Sequence, residues 1–306
     1  MSSPAEPHAA STALHRQPIS AELRQWIVEQ ARAGIAPDAV LHAMEAAGWA
    51  EDVALHAMET TLADHLSGTM RESDGPIEGK AADDLPPALL VPDPFGIEQA
   101  LYLDAGDRRV PVLAALHKPR IVVFGNLLSD AECEALIAAA RPRLARSLTV
   151  AVDTGGEELN ADRTSEGMFF ERGANALIGQ IEARIATLLK WPVENGEGLQ
   201  VLRYPPRAEY KPHYDYFDPQ QAGTPVVLKR GGQRVATLII YLNEPEQGGG
   251  TVFPDVHFEV GPKRGNAVFF SYDRPHPSTQ SLHGGAPVVR GEKWIATKWL
   301  RERRFD

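Results

Sequence analysis

The chain has 306 residues, of which 43% are hydrophobic and 24% are charged, and its formal net charge is −10. This length allows one large domain and a smaller one, and the composition is that of a globular protein. The acidic balance argues against phosphate-backbone binding as the main task, since nucleic-acid binders carry a basic footprint. We therefore expect no nucleic-acid partner.

Cysteine content and the N-terminus bear on the cellular compartment. A single cysteine, Cys133, excludes an intramolecular disulfide framework, and we expect it to be a buried core residue. The N-terminus shows no basic segment followed by an apolar one, and no apolar run approaches the roughly 18 residues that span a bilayer. These features predict a cytoplasmic protein that does not enter a membrane.

The first part of the chain has the pattern of a small helical bundle. Residues 1–19 are small, polar and proline-containing, and they are predicted to form a disordered tail. Helical periodicity then predicts three helices, from Ser20 to about Gly34, from about Pro37 to Gly48, and from Glu51 to about Leu66. We interpret residues 20–66 as a three-helix bundle that binds a protein partner.

Residues 67–88 are polar and rich in glycine and proline, which predicts a linker to a second domain at 89–306. In that domain, apolar runs at 100–103 and 109–113 flank a turn sequence and predict a hairpin. Amphipathic spacing at 129–145 and 173–190 predicts two helices.

After Glu197 the pattern changes to short β runs separated by glycine and proline. The predicted strands are 199–204, 209–216, 235–242, 251–253, 257–260, 266–270, 281–283 and 293–300. Short strands with non-local pairing predict a double-stranded β-helix, or jelly roll, with helices that buttress one face. The fold class is therefore α+β, with this core preceded by the N-terminal helical bundle.

The segment His213-Tyr214-Asp215, followed by His283, contains a candidate metal site. Two imidazoles and one carboxylate are the protein ligands of non-haem Fe(II) oxygenases, which leave the opposite face of the metal open. In a strand, residues i and i+2 project to the same side, so His213 and Asp215 are predicted to point together. His283 must approach from another strand.

Several segments resemble the catalytic domain of the prolyl 4-hydroxylases, of the alpha-subunit type, within the Fe(II)/2-oxoglutarate-dependent dioxygenases. The resemblance covers residues 118 to 304 and is carried by the segments 199–204, 210–217, 231–237, 248–254, 265–270 and 283–294. It implies Fe(II), 2-oxoglutarate and O₂ as cofactor and co-substrates, and ascorbate as the reductant.

The resemblance also implies roles for individual residues. His213, Asp215 and His283 would bind the metal, and Lys293, ten residues after His283, would bind the 5-carboxylate of 2-oxoglutarate. Lys298 is the poorer candidate for that contact, because alternation places it on the opposite face of its strand. The remaining positions implied are Tyr204, Thr237 and Trp299 for the co-substrate pocket, and Arg234 for the substrate peptide. Tyr214 and Tyr216 flank the ligands and are further substrate candidates, because aromatic surfaces suit proline rings. Arg163 is a candidate for a substrate contact or for a structural anchor. The glycines within residues 218–233 predict a loop that closes over the substrate.

The resemblance implies hydroxylation of a prolyl residue in a peptide or protein, with 4-hydroxyproline, succinate and CO₂ as products. The same chemistry on a free amino acid or on a non-prolyl side chain stays open, because substrate specificity lies in loops outside the metal face. A second alternative is a non-catalytic scaffold that recruits partners through the helical bundle. An intact ligand set together with Lys293 favours an enzyme.

Overall fold

The computed structural model describes residues 21–32, 35–47, 49, 53–55, 57, 58, 61, 62, 85–95, 100–147, 149, 150, 156–158 and 162–306. The chain divides into two compact units, with the boundary between Asp83 and Asp84. The predicted tail at 1–19 and most of the predicted linker lie outside the described residues.

The N-terminal unit is helical where it is described. Helix α1 spans Ala21–Arg32 and α2 spans Pro37–Ala46, and helical backbone is also present at residues 53–55, 57, 58, 61 and 62. Pro37 suits the first turn of α2, because its missing N–H would have no intrahelical partner there. The buried hydrophobic side chains described in this unit form one cluster of Ile27, Val40, Met44, Ala54, Ala57 and Met58. Since only part of the third predicted helix is described, the three-helix bundle stays a prediction.

The second unit is dominated by antiparallel strands. In chain order they are β1 Tyr102–Asp104, β2 Arg109–Leu116, β3 Arg120–Phe124, β4 Ala145–Arg146, β5 Thr149–Val150, β6 Glu157–Glu158, β7 Glu166–Phe170, β8 Leu199–Tyr204, β9 Tyr210–His213, β10 Arg234–Tyr241, β11 Gln247–Gly248, β12 Thr251–Phe253, β13 Phe258–Val260, β14 Ala267–Ser271, β15 His283–Gly285, β16 Val288–Arg290 and β17 Lys293–Arg301. The helices are α3 Asp130–Ala140, α4 Ala176–Leu189 and the short α5 Thr224–Leu228.

Two sheets enclose the core. The larger has nine strands in the order β1-β2-β3-β14-β10-β17-β8-β7-β4, and the smaller has four in the order β13-β12-β15-β9. Between them, Tyr204, Ile239 and Phe270 of the large sheet pack in one cluster with Phe253 and Val260 of the small one. This antiparallel two-layer core is the architecture expected for the predicted jelly roll.

Helices α3 and α4 cover the other face of the large sheet, where Leu136 and Ile181 pack with Phe124 and Leu238. The N-terminus of α3 has a capping box formed by Ser129 and Glu132. The buried Cys133 lies on this helix, as expected.

Several predicted elements have different ends in the structure, including the strand predicted at 281–283, which is β15 at His283–Gly285. Two of these differences have a clear cause. The predicted helix at 129–145 stops at Ala140, because Pro142 removes a backbone donor and the chain turns there before β4. The predicted strand at 209–216 is only β9, since its partner strand β15 begins at His283, directly opposite His213. Asp215 therefore follows the strand rather than lying within it.

The predicted hairpin at 100–113 is confirmed by the pairing of β1 with β2. Its turn is joined to both helices by the fully buried Arg184 of α4. The guanidinium donates to Asp107 of the turn at 2.6 and 2.8 Å and to Glu132 of α3 at 2.6 and 3.1 Å. This buried ion network connects the edge of the large sheet to the helical layer.

Candidate active site

His213, Asp215 and His283 lie together at one end of the small sheet. Their potential ligand atoms are all within 4.8 Å of one another, and the described residues contain no other group of three such side chains. Asp215 Oδ1 lies 3.7 Å from His213 Nε2, and Asp215 Oδ2 lies 3.4 Å from His283 Nε2. The sequence prediction that these three side chains converge is therefore met by the geometry.

Backbone carbonyls orient both imidazoles. The Nδ1 atom of His213 lies 2.8 Å from the carbonyl oxygen of Lys211, and that of His283 lies 3.1 Å from the carbonyl oxygen of Ser281. A proton on each Nδ1 satisfies these carbonyls and leaves both Nε2 lone pairs free for a metal. Burial and the neighbouring His283 lower the pKa of His213 to about 3, so this imidazole is neutral, as a metal ligand must be.

The carboxylate of Asp215 is held by Thr237, whose Oγ1 donates to Asp215 Oδ2 at 2.6 Å. Although burial raises the pKa of Asp215, the neighbouring His283 and His213 lower it overall to about 2. The group is therefore ionised at neutral pH. Tyr272 adds a further hydroxyl 2.9 Å from Thr237 Oγ1. Sequence reasoning missed Tyr272, because no motif spacing connects it with a residue 35 positions earlier.

A cavity of about 410 Å³, including its mouth, opens beside the three side chains. Its wall comprises Arg163, Leu202, Tyr204, Tyr210, His213, Asp215, Thr237, Ile239, Thr251, His283, Gly284, Gly285, Lys293, Ile295, Thr297 and Trp299. The predicted co-substrate residues Tyr204, Thr237, Lys293 and Trp299 all belong to this wall. Strand register explains part of this grouping, since Lys293 of β17 lies opposite Tyr204 of β8.

Lys293 is buried in the cavity wall at 2% exposure. Within the described part of the chain, its ammonium has no hydrogen-bond acceptor and no carboxylate within 4.0 Å. The rings of Tyr204 and Tyr241 have their centroids 5.3 and 5.9 Å from Nζ. Burial lowers the pKa of Lys293 to about 8, while the charge of Glu259 acts in the opposite direction. A buried cation without a partner is a site for an anionic ligand.

Trp299 is the second polar group of the wall that lacks a protein partner. It is 7% exposed, and its indole Nε1 is buried with no hydrogen-bond acceptor among the described residues. The guanidinium carbon of Arg234 lies 4.1 Å from the centroid of the indole. Indole N–H groups are donors only, so the Nε1 proton of Trp299 is left without an acceptor in the described structure.

The four predicted substrate residues do not share one location in the structure. Arg163 lines the cavity and donates to Gln200 Oε1 at 2.9 Å. Tyr214 and Tyr216 stack on each other with centroids 4.8 Å apart, but neither belongs to the wall. Arg234 also lies behind the wall, in a two-point ion pair with Glu197 at 2.7 and 2.9 Å.

The segment predicted as a closing loop, residues 218–233, contains helix α5. Arg301 Nη2 donates to the carbonyl of Val227 in α5 at 2.9 Å. Gly231 and Gly232 adopt positive φ angles of 79° and 74°, which favour glycine. A Cβ at Gly231 would lie 3.0 Å from the Phe305 ring. These glycines therefore form a packed turn, and closure of the segment stays a prediction.

The fold and the site define a class of proteins, and comparison with known sequences agrees. A family profile described as the 2OG-Fe(II) oxygenase superfamily matches residues 199–301, which contain the three clustered side chains and Lys293. Fe(II), 2-oxoglutarate and O₂ are the cofactor and co-substrates of this class.

Relatives identify the family more closely. Prolyl 4-hydroxylase 5 of Arabidopsis thaliana is 40% identical over an alignment of 221 residues, and the match covers 65% of this chain and 74% of that protein. Prolyl 4-hydroxylase 1 of the same plant is 46% identical over 202 residues, covering 60% and 70%. The chain belongs to the prolyl 4-hydroxylase family.

Among solved structures, the viral collagen prolyl hydroxylase of Paramecium bursaria Chlorella virus-1, in its 2-oxoglutarate complex, is 32% identical. The match covers 59% of this chain and 95% of the viral one, with a TM-score of 0.47.

In the described part of the present chain, no helix combines the length and apolar character needed to cross a membrane.

Proposed function

We propose that this protein is an Fe(II)- and 2-oxoglutarate-dependent dioxygenase that hydroxylates a prolyl residue in a peptide or protein. The products would be 4-hydroxyproline, succinate and CO₂. The observation that carries the proposal is a single cavity whose wall contains both a two-imidazole, one-carboxylate cluster and an unpartnered buried ammonium. Membership of the prolyl 4-hydroxylase family supports the choice of substrate.

His213, Asp215 and His283 would hold Fe(II). The donor set fits this ion, because imidazole suits iron and one carboxylate reduces the charge of the site. When bound, Fe(II) would activate O₂, and the oxidative decarboxylation of 2-oxoglutarate to succinate and CO₂ would supply two of the electrons that reduce it. The protein's part is to place the ligands, hold their protonation states and shield the reacting atoms from water.

Lys293 would bind the 5-carboxylate of 2-oxoglutarate. An ammonium that is buried without a counter-ion is disfavoured, and a carboxylate brought by the co-substrate removes that penalty. Tyr204, directly across the strand pair from Lys293, supports the same end of the cavity. Trp299 Nε1 would donate to an oxygen of a molecule in the cavity. Thr237 would act differently from the role implied by the resemblance, because its proton is already donated to Asp215.

Arg163 is the best supported of the four substrate candidates. It lies in the cavity wall, and its guanidinium carbon is 5.0 Å from the centroid of Tyr210. Tyr210 in turn stacks on His213 at 3.6 Å. Arg163 and Tyr210 thus lie beside the candidate metal ligand His213, where they would contact the target residue. For Arg234 we propose an indirect role, in which it holds the Trp299 ring that it covers. Tyr214 and Tyr216 would contact more distant parts of the peptide.

The helical unit would bind a protein partner as a three-helix bundle. Its shared buried cluster supports a folded unit, and Ile35 and Leu55 are 44% and 41% exposed, which supplies apolar surface. A cytoplasmic location and the use of ascorbate rest on the sequence reading and on the resemblance.

The test is succinate formation from 2-oxoglutarate by the purified protein with Fe(II) and ascorbate, in the presence and absence of a proline-rich peptide. We expect the peptide to stimulate succinate release and to become heavier by one oxygen atom. Stimulation by free proline instead would favour the alternative in which an amino acid is the substrate. An iron-loaded protein that forms no succinate under any of these conditions would overturn the proposal in favour of a binding protein.

A further inference from the structure

Three buried side chains form a hydrogen-bonded series that ends at Asp215, one of the three candidate metal ligands. Tyr272 Oη lies 2.9 Å from Thr237 Oγ1, which lies 2.6 Å from Asp215 Oδ2. The exposures of Tyr272, Thr237 and Asp215 are 1%, 0% and 7%. The contact follows from sheet pairing, because β10 and β14 are antiparallel neighbours in which Thr237 lies opposite Phe270. Tyr272 is two residues after Phe270, just beyond the end of β14, and alternation puts its side chain on the same face of the sheet as Thr237.

The direction of the protons in this series is fixed by counting donors. An ionised carboxylate only accepts hydrogen bonds, so the single hydroxyl proton of Thr237 is donated to Asp215. The short contact between Thr237 and Tyr272 must then use the proton of Tyr272. Burial raises the pKa of Tyr272 well above its usual value of 10.0, which keeps that proton in place. Tyr272 therefore donates to Thr237, and Thr237 donates to Asp215.

We propose that Tyr272 is a positioning residue for the iron site, acting through Thr237 on the orientation of Asp215. This inference rests on the proposed function, since it takes Asp215 to be an iron ligand. A threonine side chain can point its hydroxyl in more than one direction. The bond from Tyr272 selects the orientation in which the hydroxyl faces Asp215. The carboxylate is thereby held in place before a metal arrives, which is what outer partners of metal ligands do.

The surroundings of Tyr272 favour this role over simple core packing. Among the described residues its hydroxyl has one hydrogen-bond partner, Thr237. The equally buried Tyr241 is a useful contrast, since its hydroxyl donates to Thr251 at 2.7 Å and contacts the carbonyl of Val260 at 3.3 Å. In the described structure, neither of those groups has a hydrogen bond to a candidate metal ligand. The two tyrosines thus have similar burial, and only Tyr272 has a hydroxyl that reaches the cluster through one intermediate.

The experiment compares Tyr272→Phe with Tyr241→Phe in the full-length, metal-free protein. The dissociation constant for Mn(II) is measured by competition with a chromogenic chelator, without co-substrate, so that the readout does not depend on catalysis. We expect Tyr272→Phe to weaken Mn(II) binding by about 10-fold, the lower end of the effect of losing an outer partner of a ligand. Tyr241→Phe should leave Mn(II) binding unchanged.

A third variant, Thr237→Val, tests whether Tyr272 acts through Thr237. If it does, the double variant Tyr272→Phe/Thr237→Val should bind Mn(II) no more weakly than Thr237→Val alone. Three outcomes would overturn the inference: wild-type affinity in Tyr272→Phe, equal weakening in Tyr241→Phe, or additive losses in the double variant. Failure of the parent protein to bind Mn(II) at all would instead contradict the proposed function, so the two failures are distinguishable.

Discussion

Lys293 and Lys298 leave the same strand, β17, on opposite sides, and both are 2% exposed. The ammonium of Lys298 lies 2.6 Å from Glu182 of α4, whereas no carboxylate of the described chain lies within 4.0 Å of Lys293. Two buried cations separated by five residues thus differ in whether the protein supplies a carboxylate to pair with them. The charge of Lys298 is paired within the fold, whereas that of Lys293 would be paired by the proposed 2-oxoglutarate carboxylate.

The two lysines are expected to respond differently to the same substitution. Lys293→Met should leave stability unchanged or raise it, because an unpartnered buried charge is replaced by an apolar chain. It should also raise the KM for 2-oxoglutarate by roughly 10- to 100-fold, the effect of losing a charge-assisted hydrogen bond. Lys298→Met should cost about 3–5 kcal/mol, because it leaves Glu182 buried and unpaired. Urea unfolding and co-substrate titration of both variants check this, and a stability loss in Lys293→Met as large as that in Lys298→Met would contradict it.

Co-substrate binding should weaken in alkaline solution. The pKa of Lys293 is lowered to about 8, so its ammonium is present below that pH and is lost above it. A carboxylate ligand favours the charged form, and binding above pH 8 must therefore take up a proton. The KM for 2-oxoglutarate should rise as pH increases beyond about 8, with a slope approaching tenfold per pH unit. Lys293→Met provides the control, since its KM should lack this rise.

Folding stability should change with pH in the opposite direction from co-substrate binding. Because the folded-state pKa of Lys293 lies below its ordinary value of 10.5, the unfolded chain binds more protons between pH 8 and 10.5. Burial of this ammonium therefore lowers the stability of the empty protein below pH 8, and the cost disappears as pH rises toward 10.5. The stability difference between wild type and Lys293→Met should shrink over this window in thermal unfolding.

Asn243 provides a test of how the start of β17 is held. Its Oδ1 accepts from the backbone N–H of Trp294 at 2.7 Å, and its Nδ2 donates to the carbonyl of Glu292 at 2.9 Å. One side chain thus fixes both peptide neighbours of Lys293. Asn243→Ala should raise the KM for 2-oxoglutarate by about 10-fold, because a small displacement of the ammonium weakens a directional contact. The Mn(II) affinity should not change.

Asn266→Ala is the matched control for Asn243→Ala, since the Oδ1 of Asn266 also accepts a backbone N–H, that of Asn126, at 3.0 Å. It should leave the KM for 2-oxoglutarate at the wild-type value. Equal KM values in the two variants would show that the start of β17 is held without Asn243.

The buried ion network around Arg184 should govern stability in acid. Burial alone would raise the pKa of Glu132, but hydrogen bonds from Arg184 and Ser129 lower it from 4.5 to about 2. A lowered carboxyl pKa contributes stability that is fully present above the ordinary value and is lost as pH falls through the lowered one. Arg184→Met should cost about 3–5 kcal/mol at neutral pH. Its loss of stability between pH 4.5 and 2 should also be smaller than that of the wild type.

Arg264→Met is the comparison for Arg184→Met, because Arg264 forms an exposed pair with Glu134 at 3.2 Å. This variant should change the free energy of unfolding by less than about 1 kcal/mol. A similar loss in both variants would contradict the importance of burial at Arg184.

The convergence of the two histidines and the aspartate was predictable because its signal is local in part. His213 and Asp215 are two residues apart, and the ten-residue interval from His283 to Lys293 completes the pattern. The opposite facing of Lys298 also followed from strand alternation. The ends of elements were less predictable: Asp215 lies beyond β9, because the length of a strand depends on where its partner begins.

Contacts set by tertiary pairing gave no sequence signal. Tyr272 reaches Thr237 only because β10 and β14 are neighbours in the large sheet. Arg234 could be matched to a substrate position from its motif, but its ion pair with Glu197 depends on a residue 37 positions earlier. Sequence patterns therefore miss the side chains that contact site residues without lining the cavity themselves.

The central place of β17 has a consequence for how this family can vary in length. The strand is paired on both sides, with β10 and with β8, and all nine of its residues are buried. A one-residue insertion just after Lys293 would exchange the two faces of the remaining strand. Trp299 would leave the cavity, and the charge of Lys298 would enter it. Indels in relatives that retain activity should therefore be confined to the connections around β17. The residue spacing within the strand itself determines which of its side chains face the cavity.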